Sequence, residues 1–479
     1  MKRVVIAGGG IAGLSVAYAL RSEAPDAEVI VLQGEPRVGG NIRSERVDGY
    51  LCEWGADGFL DSSPPTLALA GAVGLTPRVT PSRPEAHRRF VFRNGRLHEV
   101  PTGPGAFLRS GLLSLAGKMR IAGEPFARPR PGYDESIHQF AERRIGREAA
   151  EVLVGSMVSG IFAGDSLALS LRGCFPKMWE METEYGGLFR ALIAKRKQRR
   201  SDAAIGSPTG TLTSFVDGME EFVVALAGAL RETVRTSSPV DGLRARRTPG
   251  GGPRPVGARG FSIMSAGRTI EADAVVLAGP ASDSASLIEP FDPTLAGFLG
   301  NIRTAPIVVV CLGFDAPAVE ADRGPLNGFG FLVPRGEGPR ILGALWETSI
   351  YEGRAPAGKA LMRVMIGGAT DLDAIHLSDE DLIRTVRADL ERTMGLRIVP
   401  EFVKIIRHRR GIPQYLVGHP ARLARIDTML QAYPGLFLAG NSYRGVSINS
   451  CIAEAPGIAA RVADHLRSQR LAEDYALAR

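Results

Sequence analysis

Cysteine, histidine and long apolar runs are scarce in this chain of 479 residues. The four cysteines form no C-x-x-C pair, which excludes a disulfide framework and predicts a protein of the reducing cytosol. The seven histidines show neither H-E-x-x-H nor H-x-H spacing, so we expect no metal site. No apolar window reaches about 18 residues, and no segment is therefore predicted to cross a membrane.

The charge balance favours an anionic partner without specifying its kind. Lysine and arginine number 58 against 51 acidic residues, a formal net charge of +7. Nucleic acid, anionic lipid and a carboxylate substrate all carry the complementary charge. The chain has no zinc-finger spacing, no aromatic RNA-binding motif and no long basic run. Nucleic acid is therefore not expected, and the other two partners stay open.

A glycine-rich turn near the N-terminus is the first strong pattern. The run from Val4 to Ala7 is typical of a buried parallel strand, and Gly8, Gly10 and Gly13 follow at G-x-G-x-x-G spacing. A helix pattern begins at Ile11. The first glycine permits the tight turn, the second lets a pyrophosphate approach the backbone, and the third lets helix and strand pack closely. The turn therefore predicts a dinucleotide whose phosphates lie at the helix N-terminus.

The next strand supports this prediction but departs from the usual pattern. Val29 to Leu32 is a second buried strand, and the ribose-binding residue expected at its end is Gln33 instead of an acid. The Gln33 side chain can still accept a hydrogen bond from a ribose hydroxyl, and Glu35 is an alternative. A second glycine turn, from Arg37 to Arg43, follows at once. An NAD-binding unit has no need of this turn, whereas FAD-binding chains use one on the far side of the pyrophosphate, so the pair predicts FAD.

Helical patterns replace strands between about residues 103 and 200. Apolar residues recur at helical spacing from Leu112 to Phe126, with basic residues around them. Such a helix can lie on an anionic membrane, or it can face the core with its basic side chains extended to solvent, and both interpretations stay open. The segment from Ser159 to Gly164 is predicted to break the helical pattern before it.

Strand patterns dominate two further stretches. The segment from His87 to Leu97 predicts a β-hairpin with Asn94 and Gly95 as its turn. Four strands with short connections are predicted between Ile307 and Gly367, which indicates a mostly antiparallel sheet. A helix from Asp379 to Met394 is expected to pack on that sheet.

Two adjacent arginines open the hairpin. Alternation along the strand places Arg88 on the same face as Phe90 and Phe92, and Arg89 on the opposite face with Val91. The pattern alone allows either arginine to face a ligand.

A strand, a glycine loop and a helix close the chain. A buried strand runs from Gly435 to Asn441, and Asn449 is predicted to cap a C-terminal helix that continues to about Arg470. The loop and the helix start would direct N–H groups at a flavin and stabilise its anionic reduced form.

Together these patterns predict an α/β fold assembled from separated pieces. A discontinuous FAD-binding, Rossmann-like domain comprises residues 1–84, 205–280 and 425–479. Inserted into it are a mainly antiparallel-sheet, substrate-binding domain of residues 85–100 and 281–424, and an all-helical, membrane-associating domain of residues 101–204.

Seven motifs spread over the chain carry a family resemblance. They are GGGIAGL at 8–14, RVGGNIRS at 37–44, GIFAGD at 160–165, LSLRGCFP at 169–176, GFGFLVP at 328–334, GIPQY at 411–415 and AGNSYRGVSINSCI at 439–452. With these motifs the chain resembles the oxygen-dependent protoporphyrinogen oxidases, FAD enzymes of the flavin amine-oxidase-like superfamily. GFGFLVP and GIPQY distinguish this family from flavoproteins in general.

The resemblance implies roles for particular residues. The cofactor would be held by Gly8, Gly9, Gly10, Ile11, Ala12, Gly13, Gln33, Gly40, Asn41, Gly55, Ala56, Asp57, Gly58, Val240, His408, Gly440, Gly445, Val446 and Ser447. For the substrate, Arg89 would bind a propionate and Gly160 would lie over a pyrrole ring. The apolar walls would be Phe329, Leu332, Leu345 and Met365. The family usually has Glu where Gln33 stands and often Pro at Ala56, so this chain departs from the pattern at two cofactor positions.

The resemblance also implies an activity. The family oxidises protoporphyrinogen IX to protoporphyrin IX in haem biosynthesis, by successive hydride transfers to FAD, with O2 as the final acceptor giving H2O2. No side-chain general base is needed, because the pyrrole nitrogens expel the hydride. Coproporphyrinogen III oxidation, amine oxidation and a flavin-binding module without turnover remain alternatives. The implied associations are a homodimer, transfer of product to a haem-pathway chelatase, and peripheral attachment of a cytoplasmic protein to the inner membrane.

Overall fold

A computed structural model of the protein describes residues 1–130, 132–201, 210–245 and 260–477. The predicted boundary between residues 204 and 205 lies outside the described residues. The strands are, in chain order, β1 (Arg3–Ala7), β2 (Glu28–Leu32), β3 (Ser44–Val47), β4 (Tyr50–Glu53), β5 (Phe59–Leu60), β6 (Val79–Pro81), β7 (Arg89–Arg93), β8 (Arg96–Glu99), β9 (Leu212–Phe215), β10 (Val234–Arg235), β11 (Val240–Ala245), β12 (Phe261–Ser265), β13 (Arg268–Ala272), β14 (Ala274–Leu277), β15 (Thr304–Asp315), β16 (Gly330–Leu332), β17 (Ile341–Leu345), β18 (Lys359–Gly367), β19 (Phe402–Pro413) and β20 (Leu436–Leu438).

The helices alternate with these strands, except that the described residues of 104–201 contain helices and no named strand. We call this segment the helical block. The helices are α1 (Ile11–Glu23), α2 (Pro64–Ala72), α3 (Pro104–Arg109), α4 (Leu115–Ala122), α5 (Ile137–Ile145), α6 (Arg147–Ala149), α7 (Ser156–Phe162), α8 (Leu171–Cys174), α9 (Pro176–Tyr185), α10 (Leu188–Ser201), α11 (Glu220–Leu230), α12 (Ala281–Ile288), α13 (Pro293–Gly300), α14 (Ala316–Arg323), α15 (Glu347–Ile350), α16 (Asp379–Met394), α17 (His419–Leu430) and α18 (Ile448–Leu477).

A parallel sheet of order β10-β2-β1-β14-β20 forms the centre of the dinucleotide domain. Its central strand β1 is β-branched and fully buried on both faces, as parallel strands require. Helices α1, α11 and α18 share the core on one face, and α12, α13 and α17 share the core on the other with the antiparallel sheet β11-β12-β13. The predicted α/β fold is thus confirmed, and the strands of this sheet come from three separate parts of the chain.

Packing does not follow the predicted domain boundary at residue 281. Helices α12 and α13 bury Ile288, Leu295 and Leu299 against the parallel sheet, and α17 buries Ile426 there as well. Sequence order assigned α12, α13 and the part of α17 up to residue 424 to the substrate domain, but the apolar faces of these helices belong to the dinucleotide core. We propose that the insertion begins after α13 and ends before α17.

The second large sheet has the order β19-β15-β18-β17-β16-β7-β8. Its pairs are antiparallel except β16 with β7, which agrees with the predicted mostly antiparallel sheet. The predicted hairpin is present as β7 and β8, and Asn94 and Gly95 at its tip have the positive φ values, 51° and 77°, of a tight hairpin turn. Helix α16 has the predicted bounds and covers one face. Strand β19 was not predicted, because its charged residues conceal the alternation.

The structure narrows two predictions for the helical block. The break predicted from Ser159 to Gly164 lies near the end of that segment, because α7 continues through Gly160 to Phe162 and ends at Ala163, whose φ is +45°. The helix expected from Leu112 to Phe126 is confined to α4, because Gly123 and Pro125 end it early. Of the helices in the described residues, none is both long and apolar enough to cross a membrane.

Candidate functional site

The two glycine turns lie against each other at the carboxyl end of β1. The Gly39 N–H donates to the Gly9 carbonyl at 2.8 Å, and Gly10 and Gly39 form a parallel bridge. A Cβ atom on Gly13 would lie 2.0 Å from the Gly8 carbonyl oxygen, whereas one on Gly10 would meet no protein atom closer than 4.0 Å. Gly10 is also the N-cap of α1, and no side chain caps its N–H groups. The turn therefore leaves open space and free donors where a pyrophosphate would bind, which fits a dinucleotide.

The ribose position is partly occupied by the protein itself. The Gln33 amide oxygen accepts a hydrogen bond from the Gly9 N–H at 2.8 Å, so the predicted acceptor already stabilises the glycine turn. The backbone just before Val240, on the side predicted for the adenine, also lies close to Gln33. The Ser238 N–H donates to the Gln33 carbonyl at 2.8 Å. Val240 opens β11 directly after this segment. The structure thus brings Gln33 and the Val240 segment together, and the Gln33 Nε2 group is the part of the side chain that could donate to a ribose.

Residues 54–58 form a loop beside the second glycine turn. A Cβ on Gly55 would lie 2.5 Å from the Asn41 carbonyl oxygen, and one on Gly58 would lie 2.5 Å from the Tyr351 hydroxyl. Asn41 and Ala56 are exposed at this edge. The Asp57 Oδ2 atom is buried and has no hydrogen-bond partner among the described residues. An orphaned acceptor next to a glycine-lined gap indicates that a bound group completes this region.

His408 holds this loop from β19. Its Nε2 atom lies 2.8 Å from the Trp54 carbonyl oxygen, and burial lowers the pKa of His408, so the ring is neutral at pH 7 and donates its N–H. His408 is therefore connected to the predicted cofactor site by its hydrogen bond to the backbone of residues 54–58.

The C-terminal loop meets the first glycine turn. A Cβ on Gly440 would lie 3.7 Å from the Ala12 side chain, so the two segments are in contact. Gly445 donates its N–H to the Tyr415 hydroxyl at 2.9 Å, and that hydroxyl donates to the Asn441 carbonyl. Tyr415, the last residue of the GIPQY motif, therefore fixes the loop by accepting one hydrogen bond from it and donating another to it. Val446 packs against the core of the helical block.

The predicted cap of the C-terminal helix is corrected. The helix begins at Ile448, and the Ser447 hydroxyl accepts from the Ser450 N–H at 3.1 Å, so Ser447 is the cap. Asn449 instead donates to the Leu60 carbonyl and accepts from Thr66, which attaches α18 to α2. Ser and Asn are both good caps, so the sequence could not distinguish the two positions.

One face of the seven-stranded sheet collects the predicted substrate residues. Directly paired residues of neighbouring strands share a face. Arg89 pairs with Gly330, Gly330 with Leu345 and Leu345 with Arg363, which forms one row across four strands. The next row contains Leu332, Gly343 and Met365.

We call the four residues Phe329, Leu332, Leu345 and Met365 the apolar wall. Phe329 and Met365 pack against Leu345 in one cluster. Gly160 belongs at this wall, because a Cβ there would lie 2.8 Å from the Leu332 side chain. Because Gly160 has no side chain, α7 can approach the sheet closely. The helix continues through this residue.

The structure separates the two arginines of the hairpin. Arg88 forms an ion pair with Glu99 at 2.9 Å and lies over Phe90, on the face that packs against α16. Arg89 lies 5.1 Å from the ring centre of Phe329, on the face of the apolar wall. It is exposed, and no carboxylate of the described residues lies within ion-pair distance of it. Arg89 is therefore available to an anion at the wall.

A buried group of charges lies next to the apolar wall, and it was not predicted from the sequence. Glu53 accepts from the Met219 N–H and from Ser44, and burial raises its pKa to about 7. Arg354 lies 3.7 Å from Glu53 and over the Tyr351 ring. Arg363 and Glu347 complete the group. The available signal was a single arginine in the otherwise apolar run ALMRVMIG, since an unpaired charge in a buried strand requires a partner.

We expect Gly10→Val to abolish flavin binding while the fold is retained. The structure has room for the new side chain, but that room is the space of the pyrophosphate, and filling it excludes the ligand. Purified variant should lack the flavin absorbance at about 450 nm. Gly13→Val is the control, since its Cβ would overlap the Gly8 carbonyl, and it should lower the thermal stability of the apoprotein as well. A Gly10→Val protein with full flavin content would contradict the assignment of the turn.

Comparison with known proteins agrees with this geometry. A family model described as flavin containing amine oxidoreductase matches residues 11–463. The coproporphyrinogen III oxidase of Bacillus subtilis is 30% identical over 94% of this chain and 96% of its own length. Human protoporphyrinogen oxidase is 32% identical, over 94% of this chain and 96% of its own. A crystal structure of an Exiguobacterium sp. 255-15 protein assigned as a protoporphyrinogen oxidase is 26% identical, covers 96% of this chain and 98% of its own, and has a TM-score of 0.81.

A flavin on a dinucleotide-binding fold is FAD, and the open glycine turns accommodate it. The match leaves out β1 and the end of α18 but includes the seven-stranded sheet and the helical block. The chain therefore belongs to the flavin-containing amine oxidoreductase family, and its cofactor is FAD.

Proposed function

We propose that the protein oxidises protoporphyrinogen IX to protoporphyrin IX, with O2 as the final electron acceptor and H2O2 as the second product. The relatives named above act, by their names, on porphyrinogens, and they align over nearly their entire length. Within this chain, the observation that carries the proposal is the apolar wall with the unpaired Arg89 at its edge. A porphyrinogen is broad and apolar with carboxylates on its rim, and this surface matches both properties.

Different residues of the proposed site contact the substrate, orient it and bind the cofactor. The apolar wall contacts a face of the macrocycle, and the absence of a side chain at Gly160 lets α7 pack closely against Leu332 at the edge of that wall. Arg89 pairs with a propionate and orients the ring. The Gly10 and Gly440 loops and residues 54–58 hold the cofactor. When bound, FAD would supply the acceptor for a hydride from a bridging carbon of the macrocycle, with O2 as the final oxidant.

The charges on this sheet face favour two carboxylates over four. Arg363 is paired with Glu347, and Lys404, in the same row, is paired with Glu45 at 3.2 Å. Among the described residues of the row, Arg89 alone is left for a substrate anion. Protoporphyrinogen carries its two propionates together, whereas coproporphyrinogen carries four and needs further cations. The Bacillus subtilis relative keeps the tetracarboxylate as the second candidate.

Anaerobic titration of the FAD-loaded protein tests the function directly. We expect protoporphyrinogen IX to reduce the flavin fully, with loss of absorbance at about 450 nm. Coproporphyrinogen III should do so with a lower kcat/KM, and primary amines should leave the flavin oxidised. Preference for coproporphyrinogen would assign the second candidate, and reduction by none of these compounds would reject porphyrinogen oxidation.

We expect Arg89→Ala to weaken substrate binding selectively. A guanidinium–carboxylate pair contributes about 1.5–3 kcal/mol, so KM should rise about 10- to 100-fold. The propionate is distant from the reacting carbon and is bound alike in ground and transition states, so kcat should change little. Arg88→Ala removes only an exposed pair with Glu99 and should change KM less than about 3-fold. Equal effects of the two substitutions would contradict the proposed role of Arg89.

We further propose that the helical block attaches the protein to an anionic membrane surface. Leu108, Leu115, Met119 and Phe126 are 67%, 72%, 62% and 87% exposed, and we call them the α3–α4 patch. Leu115 and Met119 lie one turn apart on α4, and Lys118 donates to the Leu108 carbonyl, which joins α3 to α4. Leu112 and Leu113 are buried instead, and Ile121 packs against the same core, so the core-facing interpretation applies to these residues. Exposed apolar side chains among basic ones are typical of an interfacial segment.

We expect the protein to sediment with vesicles of anionic lipid at low salt and to be released as salt is raised, because basic residues contribute about 1 kcal/mol each near such a surface. The double variant Leu115→Ser/Met119→Ser should bind at least about 10-fold more weakly, since it removes two apolar side chains from the contact. Leu192→Ser, an exposed apolar residue of α10, serves as the matched control. Full binding of the double variant would reject the α3–α4 patch as the attachment site.

A further inference from the structure

Arg363 is a buried arginine on the strand that carries the apolar wall. It lies two residues before Met365 on β18, so both side chains are on the same face, and its direct neighbour on β17 is Leu345. The residue is only 3% exposed. The rest of residues 360–367 is apolar, and a methionine or leucine at position 363 would extend the wall without interruption.

The guanidinium reaches from the wall to the loop that borders the cofactor. It donates to the Gly55 carbonyl at 2.6 Å, and one of its nitrogens lies 3.4 Å from Asp57 Oδ1. Its Nε atom lies 2.9 Å from the Glu347 carboxylate, which is itself buried. His408 fixes the neighbouring Trp54 carbonyl. Two side chains of one sheet face thus hold two consecutive carbonyls of residues 54–58.

The cost of this arrangement argues that it has a purpose beyond stability. A buried ion pair often stabilises no better than apolar residues of the same size, because both charges lose their hydration. Burial lowers the pKa of Arg363, but the Glu347 and Asp57 carboxylates raise it above the ordinary arginine value, so the cation is retained. What the charged group provides, and an apolar one could not, is a directed hydrogen bond to the Gly55 carbonyl across the gap between the two parts of the site.

We propose that Arg363, oriented by Glu347, is a positioning residue that fixes residues 54–58 relative to the apolar wall, and so sets the distance between the substrate's reacting carbon and the flavin. The inference rests on the proposed porphyrinogen oxidation for its kinetic consequence, but the position of the loop can be measured without substrate. Displacement of a reacting group by about 1 Å can slow a reaction about 100-fold while binding is maintained.

The experiment compares Arg363→Met and Arg363→Lys with the wild type as FAD-loaded, full-length proteins. At saturating protoporphyrinogen, anaerobic stopped-flow should show flavin reduction slowed about 10- to 100-fold in Arg363→Met. KM should remain within about 3-fold, because the wall and Arg89 are intact. Arg363→Lys keeps the charge and one donor, so it should recover part of the rate. Arg144→Lys is the matched control, since Arg144 is fully buried and paired with Glu124 in the helical block, and it should leave the reduction rate unchanged.

A second measurement reads the loop itself. Trp54 belongs to residues 54–58, and flavin quenches indole emission according to their separation. The Trp54 lifetime in substrate-free holoprotein, isolated by comparison with Trp54→Phe, should lengthen in Arg363→Met and remain unchanged in Arg144→Lys. If Arg363→Met fails to fold, Arg363→Met/Glu347→Leu removes both charges together and should show the same longer lifetime.

The outcomes separate the two proposals. A wild-type flavin that no porphyrinogen reduces would reject the proposed function, while the Trp54 lifetimes still report on the loop. Wild-type lifetime in the folded variant, or wild-type reduction rate with a normal flavin content, would overturn the positioning role of Arg363. A rise in KM without a slower reduction would also overturn it, because Arg363 would then act on binding.

Discussion

The close approach of backbone to backbone around β1 is the constraint on which the cofactor site depends. The contact between Gly8 and Gly13 is so close that no side chain fits, and a Cβ on Gly39 would overlap both the Ile42 carbonyl and Val223. These contacts bring two turns and the start of α1 together with their N–H groups exposed to one space. A helix start of this kind carries a partial positive charge, and here no side chain competes for it. The site for the phosphates is thus a consequence of packing in the parallel sheet.

The antiparallel sheet and the segment directly after its strand β19 also hold loops of the dinucleotide domain. Tyr415, His408 and Arg363 all hold backbone groups of loops that belong to the dinucleotide domain. Two of them, His408 and Arg363, lie on the sheet face that carries the apolar wall. These hydrogen bonds connect the sheet to loops of the dinucleotide domain. A shift of the sheet would therefore move the apolar wall and these loops together.

How much the sequence could predict depended on the range of the interactions involved. The glycine turns, the buried strands and α16 have local signals, because turn geometry and apolar periodicity act over a few residues, and the structure has them where expected. The role of Arg363 depends on Gly55, which lies 308 residues away, and no local pattern contains that contact. The close packing at Gly160 has no local signal either, because the Leu332 side chain that it accommodates comes from a distant strand. The placement of Arg89 at the wall needed only strand alternation and one choice between two faces.

The order of the strands along the chain has a consequence for biosynthesis. Lys2 and Glu473 form an ion pair at 2.6 Å across 471 residues, and α1 shares its core with α18, the last helix of the chain. During synthesis β1 and α1 are made long before β14 and α18, so β1 keeps an unpaired edge and α1 keeps an uncovered apolar face until those segments arrive. Such distant pairings fold slowly and leave surfaces prone to association in the meantime. Because β20 pairs with β14 and α18 packs on α1, loss of this C-terminal segment would uncover the centre of the parallel sheet and expose apolar surface to association.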